Sequence, residues 1–134
     1  MVIESHVDLL LVDEQSNNLI DGGHFDLNNL KIYYLIDGKK KFFFNNRLDY
    51  PKGFNVVEDR DKQSLLRIYL NYAMVTPVTH VEYGENDTDY MKTEFHRNGS
   101  SVIIQKIWYN DELKWKNTAE YPASPKVTIV KTNR

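Results

Sequence analysis

The sequence predicts an all-β fold, a single antiparallel β-sandwich of immunoglobulin-like or related type with about 8–10 short strands. Turn-forming residues recur about every 8–12 positions, and the runs between them are rich in Val, Ile, Tyr, Phe and Thr. Two neighbouring turns within residues 90–115 also fit one three-stranded meander. A closed barrel is the alternative arrangement of the same strands. The turn signals are Asp21-Gly22-Gly23, Asp37-Gly38, Pro51-Lys52-Gly53, Thr76-Pro77, Tyr83-Gly84, Asn98-Gly99, Asn110-Asp111 and Tyr121-Pro122.

The chain has the length and composition of one domain, and we expect residues 1–134 to form a single all-β unit. Its 134 residues contain 41% apolar side chains, enough to build a hydrophobic core. No internal repeat, low-complexity tract or linker suggests a boundary. The core is expected to include Leu9, Leu11, Ile32, Leu66, Ile68, Leu70, Phe95, Ile104 and Trp108.

The composition also excludes several classes of protein. The chain has 17 basic and 19 acidic residues and a net charge of −2. It therefore lacks the excess of positive charge that is usual in nucleic-acid-binding proteins. The chain has no cysteine, so it has no disulfide, thiolate metal site or cysteine nucleophile. The longest aliphatic run is Leu9–Val12, far shorter than a membrane span.

Residues 90–115 give the most specific structural prediction, because two separate turns predict the same pairing register for three strands. Asn98-Gly99 suits a type I′ hairpin, whose central residues both need positive φ. Asn110-Asp111, taken as a second two-residue loop, continues the meander. These loops would pair Phe95 with Val102, Thr93 with Ile104, Trp108 with Leu113 and Lys106 with Trp115.

This register gathers the apolar side chains on one face, because side chains alternate along a strand. We expect that face to be core, with Lys106 as its sole charge, and Ile107 and Tyr109 to lie on the opposite face. The predicted core face consists of Met91, Thr93, Phe95, Val102, Ile104, Lys106, Trp108, Leu113 and Trp115.

Two further segments are less regular. Around Asp37-Gly38 a simple hairpin register mixes apolar and polar side chains, so we expect a bulge or a longer loop. Residues 64–73 fit helical and strand spacing equally well. Their β-branched and aromatic content favours a strand, with a short helix as the alternative.

Two oxygen-rich segments, residues 13–18 and 85–89, are candidate calcium loops, because calcium takes six to eight oxygen ligands. Neither has the EF-hand spacing, and Asx side chains in turns commonly bond to the local backbone instead. The candidate ligands are Asp13, Asn17, Glu85, Asp87 and Asp89.

The aromatic residues near the end of the meander are candidates for ligand binding. Aromatic side chains provide a large contact area at low entropic cost, so Tyr109 and Trp115 could bind a sugar or a partner. The alternative is that such residues belong to the core.

No pattern in the sequence indicates catalysis. The four histidines are not at metal-ligand spacing, and neither a nucleophile elbow nor a glycine-rich phosphate loop is present. We therefore predict a protein that is not an enzyme, with no catalytic residue, no resident metal and no cofactor.

Four segments, in the same order, carry a resemblance to a family. Residues 7–21 combine a strand with an Asp- and Asn-rich turn, and residues 66–71, 82–89 and 107–111 follow, the last ahead of Trp115. In this pattern the chain resembles small lipoproteins of Bacteroides-type bacteria. Two positions depart from it: Ser16 stands where a turn glycine is usual, and Asp111 replaces the glycine of the usual Asn-Gly turn.

The resemblance implies a β-sandwich-like domain of the cell envelope, periplasmic or anchored to the outer membrane. The anchor would be a lipid on a cysteine that this chain lacks. It implies no enzymatic activity and transfers no functional residue. We therefore expect a non-catalytic envelope lipoprotein domain that acts as a binding or interaction module, with an envelope protein or a glycan as its partner. The alternative is a carbohydrate-binding module that uses an exposed aromatic face.

Overall fold

The computed structural model describes residues 3–118 and 124–132, and within these ranges the chain forms β-strands and no helix. It therefore contains, in that part of the chain, no helix able to cross a membrane. The predicted turn at Tyr121-Pro122 lies outside the described residues. The strands are β1 (His6–Val12), β2 (Lys31–Ile36), β3 (Lys39–Phe42), β4 (Phe54–Glu58), β5 (Ser64–Tyr69), β6 (Val78–Gly84), β7 (Asp87–Asn98), β8 (Ser101–Tyr109), β9 (Glu112–Lys116) and β10 (Lys126–Val130).

The strands form two sheets that pack as a sandwich, as the sequence predicts. One sheet has the order β10-β1-β5-β4 and the other has the order β3-β2-β6-β7-β8-β9. Neighbouring strands are antiparallel except for β1 and β10, which run parallel. This parallel pair is an addition to the predicted antiparallel sandwich, and it joins strands that are far apart in the sequence.

The inward side chains of both sheets form one hydrophobic core. Leu9, Ile32 and Leu66 are fully buried, and every predicted core residue except Trp108 is buried. Turn and loop residues Leu19 and Leu30 close the space between the sheets. Alternation on β6 is regular, with Thr79, Val81 and Tyr83 buried, so the opposite side of this sheet faces solvent.

The β7–β8 turn differs from the predicted one. Asn98 pairs with Ser101, so the loop is Gly99-Ser100, and Gly99 alone has a left-handed φ, of 63°. Glycine at the first loop position is the signature of a type II′ turn, which twists as the strands require. Phe95 consequently faces Ile104 rather than Val102.

A β-bulge explains why the predicted core position of Trp108 is wrong. Gln105 has no partner, because the register shifts between Glu94 and Phe95 of the neighbouring strand. The extra residue reverses the alternation along the rest of β8. Ile107 and Tyr109 are therefore buried, while Trp108 and Lys106 turn to the other face.

The predicted Asn110-Asp111 turn between β8 and β9 is confirmed, but the predicted pair of Lys106 and Trp115 is wrong. Asn110 and Asp111 both have positive φ, at 48° and 70°, as a type I′ turn requires. Trp108 pairs with Leu113 as predicted, and Leu113 is 48% exposed rather than buried. A second register shift leaves Lys106 opposite Lys116, and Trp115 opposite Ile107.

Two remaining predictions concern local structure. The Asp37-Gly38 hairpin has a plain two-residue loop and a continuous register, so the expected bulge is absent from it. Its mixed pattern arises because β3 is an edge strand with every residue exposed. Residues 64–69 form strand β5, which resolves the ambiguity in favour of the strand.

Candidate functional site

The solvent side of the six-stranded sheet, here called the outer face, carries a row of aromatic rings. Cross-strand partners share one face of a sheet, and the register joins Phe42 to Tyr33, Tyr33 to His80 and His80 to Tyr90. The ring centroids of Tyr33 and Phe42 are 5.7 Å apart, and those of His80 and Tyr90 are 6.0 Å apart. The row crosses four strands, so it spans about 14 Å at the usual strand spacing.

A second row on the outer face is centred on Trp108. Val78 pairs with Lys92, Lys92 with Trp108, and Trp108 with Leu113. The ammonium nitrogen of Lys92 lies 4.4 Å from the Trp108 ring centroid, and that of Lys106 lies 5.9 Å from it. The indole is half-buried, because these lysine stems cover part of it.

Two lysines of the outer face have no acidic cross-strand partner. The ammonium nitrogen of Lys40 lies 4.9 Å from the Tyr33 ring centroid, and the residue opposite Lys40 is Leu35. Lys92 likewise has apolar partners on both neighbouring strands. Lys31 lies opposite Glu82, and Lys106 lies between Glu94 on one neighbouring strand and Lys116 on the other.

His80, in the middle of the aromatic row, is held in its neutral form. Partial burial lowers its pKa below the ordinary value of 6.5, and the positive charge of Lys40 lowers it further. The imidazole therefore presents an uncharged ring at neutral pH. Its contribution to the row is an aromatic surface rather than another positive charge.

Together these side chains can bind a ligand that has both flat apolar surfaces and negative charges. Aromatic rings provide stacking surfaces. The ammonium groups beside them supply positive charge without the desolvation cost of a buried ion. Phe42 is 53% exposed, so the end of the row at the sheet edge is open to solvent.

Tyr109, one of the two predicted ligand-binding residues, does not belong to this face. Its side chain is buried, and its hydroxyl lies 2.6 Å from the hydroxyl of Tyr83 and donates a hydrogen bond to Asp89 Oδ2 at 2.7 Å. Burial, together with the nearby Tyr83 and Asp89, raises the Tyr109 pKa well above 10. The ring of Tyr109 is a core element and offers no stacking surface.

Trp115, the other predicted residue, lies on the inward side of β9. It is opposite the fully buried Ile107 and packs partly buried against the core. The structure therefore separates the two tryptophans. Trp108 is the one on the outer face, whereas Trp115 contributes to packing.

The predicted calcium ligands Asp87 and Asp89 already hold a positive charge. The ammonium nitrogen of Lys131 lies 3.0 Å from Asp87 Oδ1 and 2.6 Å from Asp89 Oδ2. Burial alone would raise the Asp89 pKa, but hydrogen bonds from Lys131, Tyr109 and Asn110 outweigh it, so the pKa lies below 3.8. Lys131 thus takes the position that a cation would need.

The other calcium candidates do not complete a metal site with this pair within the described residues. Asp13 accepts hydrogen bonds from the backbone nitrogens of Gln15 and Asn17 and from Asn17 Nδ2, at 2.9, 2.9 and 3.0 Å. These bonds form an Asx turn, and they lower the Asp13 pKa. Glu85 is exposed in the β6–β7 turn. Within residues 3–118 and 124–132, His, Asp and Glu side chains form no group of three that could hold a metal.

The fold and the outer face define a β-sandwich domain with one basic aromatic sheet surface. Comparison with known proteins adds no relative: no family model, curated protein or solved structure matches this chain.

Sequence reasoning missed Tyr33, Phe42, His80 and Tyr90 as one surface. Tyr33, His80 and Tyr90 lie between inward-facing neighbours on their own strands, which is a visible alternation, whereas Phe42 ends the fully exposed strand β3. Their alignment into a row depends on the pairing of β3, β2, β6 and β7. That pairing brings together residues that are up to 57 positions apart in the chain by their numbers, Tyr33 and Tyr90.

Proposed function

We propose that this domain is a non-catalytic binding module of the cell envelope and that its outer face binds a polysaccharide. The observation that carries the proposal is the aromatic row Phe42, Tyr33, His80 and Tyr90, with Trp108 beside it. A chain of sugar rings presents flat C–H surfaces at regular intervals, and these stack on aromatic rings.

The lysines narrow the ligand class to a negatively charged polysaccharide. Lys40 and Lys92 lie against Tyr33 and Trp108 and face apolar cross-strand partners. Their charge is therefore available to carboxylate or sulfate groups of a bound chain. A protein partner is the second candidate, since half-buried Trp and Tyr are also common anchors of protein interfaces.

The test is isothermal titration calorimetry with polygalacturonate, which is anionic, and with dextran, which is neutral. We expect binding to polygalacturonate that weakens as salt increases, because ion pairs on an exposed face are screened. Trp108→Ala should weaken binding at least about tenfold, the effect of truncating an aromatic anchor worth about 1.4 kcal/mol or more. No heat with either polysaccharide, at low salt, would contradict the proposal.

Phe44→Ala is the matched control for Phe42→Ala. The two phenylalanines are nearly equally exposed, at 57% and 53%, but Phe44 lines a separate depression beside Tyr50 and Phe54. Only the Phe42 substitution should weaken binding. Equal losses would indicate a general effect on the hairpin rather than a contact on the outer face.

Envelope location and a lipid anchor are part of the same proposal and have their own test. The resemblance of residues 7–21 to Bacteroides-type lipoproteins supports them. The genomic sequence upstream of residue 1 should encode a leader that ends in a cysteine. An in-frame stop codon directly upstream, followed by a ribosome-binding site, would contradict the lipid anchor and leave the binding proposal standing.

A further inference from the structure

A concave site lined by aromatic rings lies apart from the outer face and shares no lining residue with its aromatic rows. Tyr34 comes from β2, Phe43 follows β3, Tyr50 belongs to the loop before β4, and Tyr69 and Tyr72 come from the end of β5 and the loop after it. The cavity measures about 630 Å³. Its other lining residues are Ser5, Leu48, Asp49, Gly53, Leu70, Asn71 and Ala73.

The rings of this cleft are held in place by specific contacts. The Tyr34 hydroxyl donates a hydrogen bond to the backbone oxygen of Tyr69 at 2.7 Å, and burial raises the Tyr34 pKa to about 12. The Tyr69 hydroxyl donates to Asn55 Oδ1 at 3.0 Å. Tyr50 stacks on Tyr69 with ring centroids 5.5 Å apart and an interplanar angle of 9°. The cleft is therefore preorganised rather than assembled by its ligand.

Gly53 maintains the cleft wall. Its φ is +82°, a conformation that L side chains rarely adopt, and a Cβ built on it would lie 2.8 Å from Cδ1 of Phe43. Phe43 in turn packs against Tyr34, with ring centroids 5.0 Å apart. Any larger residue at position 53 would displace the Phe43 ring.

The charge of the cleft is negative. Asp49 is the carboxylate on its lining, and no Lys, Arg or His is among the described residues that line it. Aromatic faces carry a negative quadrupole, so rings and carboxylate act in the same direction. Two opposing charges lie beside the cleft: Arg97 donates a hydrogen bond from Nη2 to the backbone oxygen of Tyr72, and the Arg67 guanidinium, which is paired with Asp8, interacts with the Tyr69 side chain.

We infer that this aromatic cleft binds a quaternary ammonium group. Such a cation gains from ring faces without needing hydrogen-bond acceptors, and its methyl groups suit the apolar lining. Tyr50 and Tyr72 are 43% and 42% exposed, so the cleft opens to solvent beside them and the rest of the ligand can extend outward there. This site is independent of the proposed polysaccharide surface.

The experiment compares choline with 3,3-dimethylbutan-1-ol, the neutral compound of the same shape, by calorimetry on the whole chain. We expect choline to bind at least about tenfold more tightly than the neutral compound, because only choline carries the charge that the rings and Asp49 recognise. Equal affinities would overturn the inference, and so would the absence of binding by choline.

Variants separate the cation contact from simple apolar burial. Tyr50→Leu keeps an apolar side chain but removes the ring, and Asp49→Asn keeps the shape but removes the charge. Each should weaken choline binding several-fold and leave the weak binding of the neutral compound nearly unchanged. Arg97→Gln should strengthen choline binding. Unchanged choline affinity in both Tyr50→Leu and Asp49→Asn would overturn the inference.

Two controls complete the design. Val75→Ala, at an exposed residue outside the cleft lining, should not alter choline binding. Trp108→Ala should also leave it unchanged, so failure of the polysaccharide proposal and failure of this inference are distinguishable. Sedimentation with phosphatidylcholine vesicles, but not with phosphatidylglycerol vesicles, would identify a lipid headgroup as the source of the cation. Choline binding without sedimentation would identify a soluble ligand.

Discussion

The ammonium nitrogen of Lys131 lies 2.6 Å from Asp89 Oδ2 and so joins the end of one sheet to β7 of the other. Lys131 follows β10, and its side chain is only 7% exposed. It also lies 4.0 Å from the ring centroid of Tyr83. This buried cation therefore links the two layers of the sandwich at a point where their strands share no backbone ladder.

Replacing this lysine should destabilise the fold strongly. Lys131→Met leaves Asp87 and Asp89 partly buried without their cation, and breaking such a pair costs about 3 kcal/mol or more. Urea unfolding measures the loss. Lys114→Met is the control, because Lys114 pairs with the exposed Glu112 at 3.3 Å and should cost less than about 1 kcal/mol. Equal costs for the two variants would mean that the Lys131 contacts contribute no more than a surface pair.

Acid should weaken the same contact. The folded-state pKa of Asp89 is lowered below its ordinary value of 3.8, so its contribution is fully present above the unfolded pKa. That stability is lost as the pH falls through the lower, folded pKa. Urea midpoints measured from pH 7 to pH 2 should show the gap between the natural chain and Asp89→Asn closing below about pH 4. A gap that stays constant across this range would contradict the assignment.

Ser16→Gly should stabilise the protein. Ser16 has a φ of 66°, and an L residue in this left-handed region costs roughly 1–2 kcal/mol. Glycine avoids this cost, but it loses more backbone entropy on folding, which offsets part of the gain. We expect a net gain of about 0.5–1 kcal/mol, seen as a Tm increase of a few degrees. Gln15→Gly, at the preceding turn position, should lower the Tm instead. A lower Tm for both variants would contradict the strain at Ser16.

The two tryptophans should differ in their accessibility to quenchers. In Trp115→Phe the remaining Trp108 lies beside Lys92 and Lys106, which attract anions. Its fluorescence should be quenched more strongly by iodide than by caesium ions. In Trp108→Phe the remaining Trp115 packs against the core and should be quenched weakly by both. Strong quenching of Trp115 would contradict its inward position.

The sequence predicts the fold class and most of the core because both depend on local patterns. Turn residues and two-residue alternation are visible in any short window, and they correctly place Leu66, Ile68 and Phe95 inside. The position of Trp108 depends instead on one extra residue, Gln105, that no local signal marks. A bulge exchanges the two faces of everything beyond it.

The candidate sites were harder to predict because they are built by contacts between distant segments. The aromatic row of the outer face forms only because β3, β2, β6 and β7 are neighbours in that order. The cleft forms only because β2 contacts the end of β5. Even the two departures from the lipoprotein pattern carry structural information. Ser16 and Asp111 both adopt the positive φ for which glycine would be the usual residue.

The parallel pair of β1 and β10 has a consequence for biosynthesis. Leu9 faces Val127 across this ladder, so the second edge of β1, a central strand of the first sheet, stays unpaired until residues 126–130 have been synthesised. Such high contact order slows folding, and until then the apolar β1 offers an open edge to other nascent chains. Chaperone binding to the emerging chain should therefore centre on residues 6–12 and end when residues 126–130 leave the ribosome.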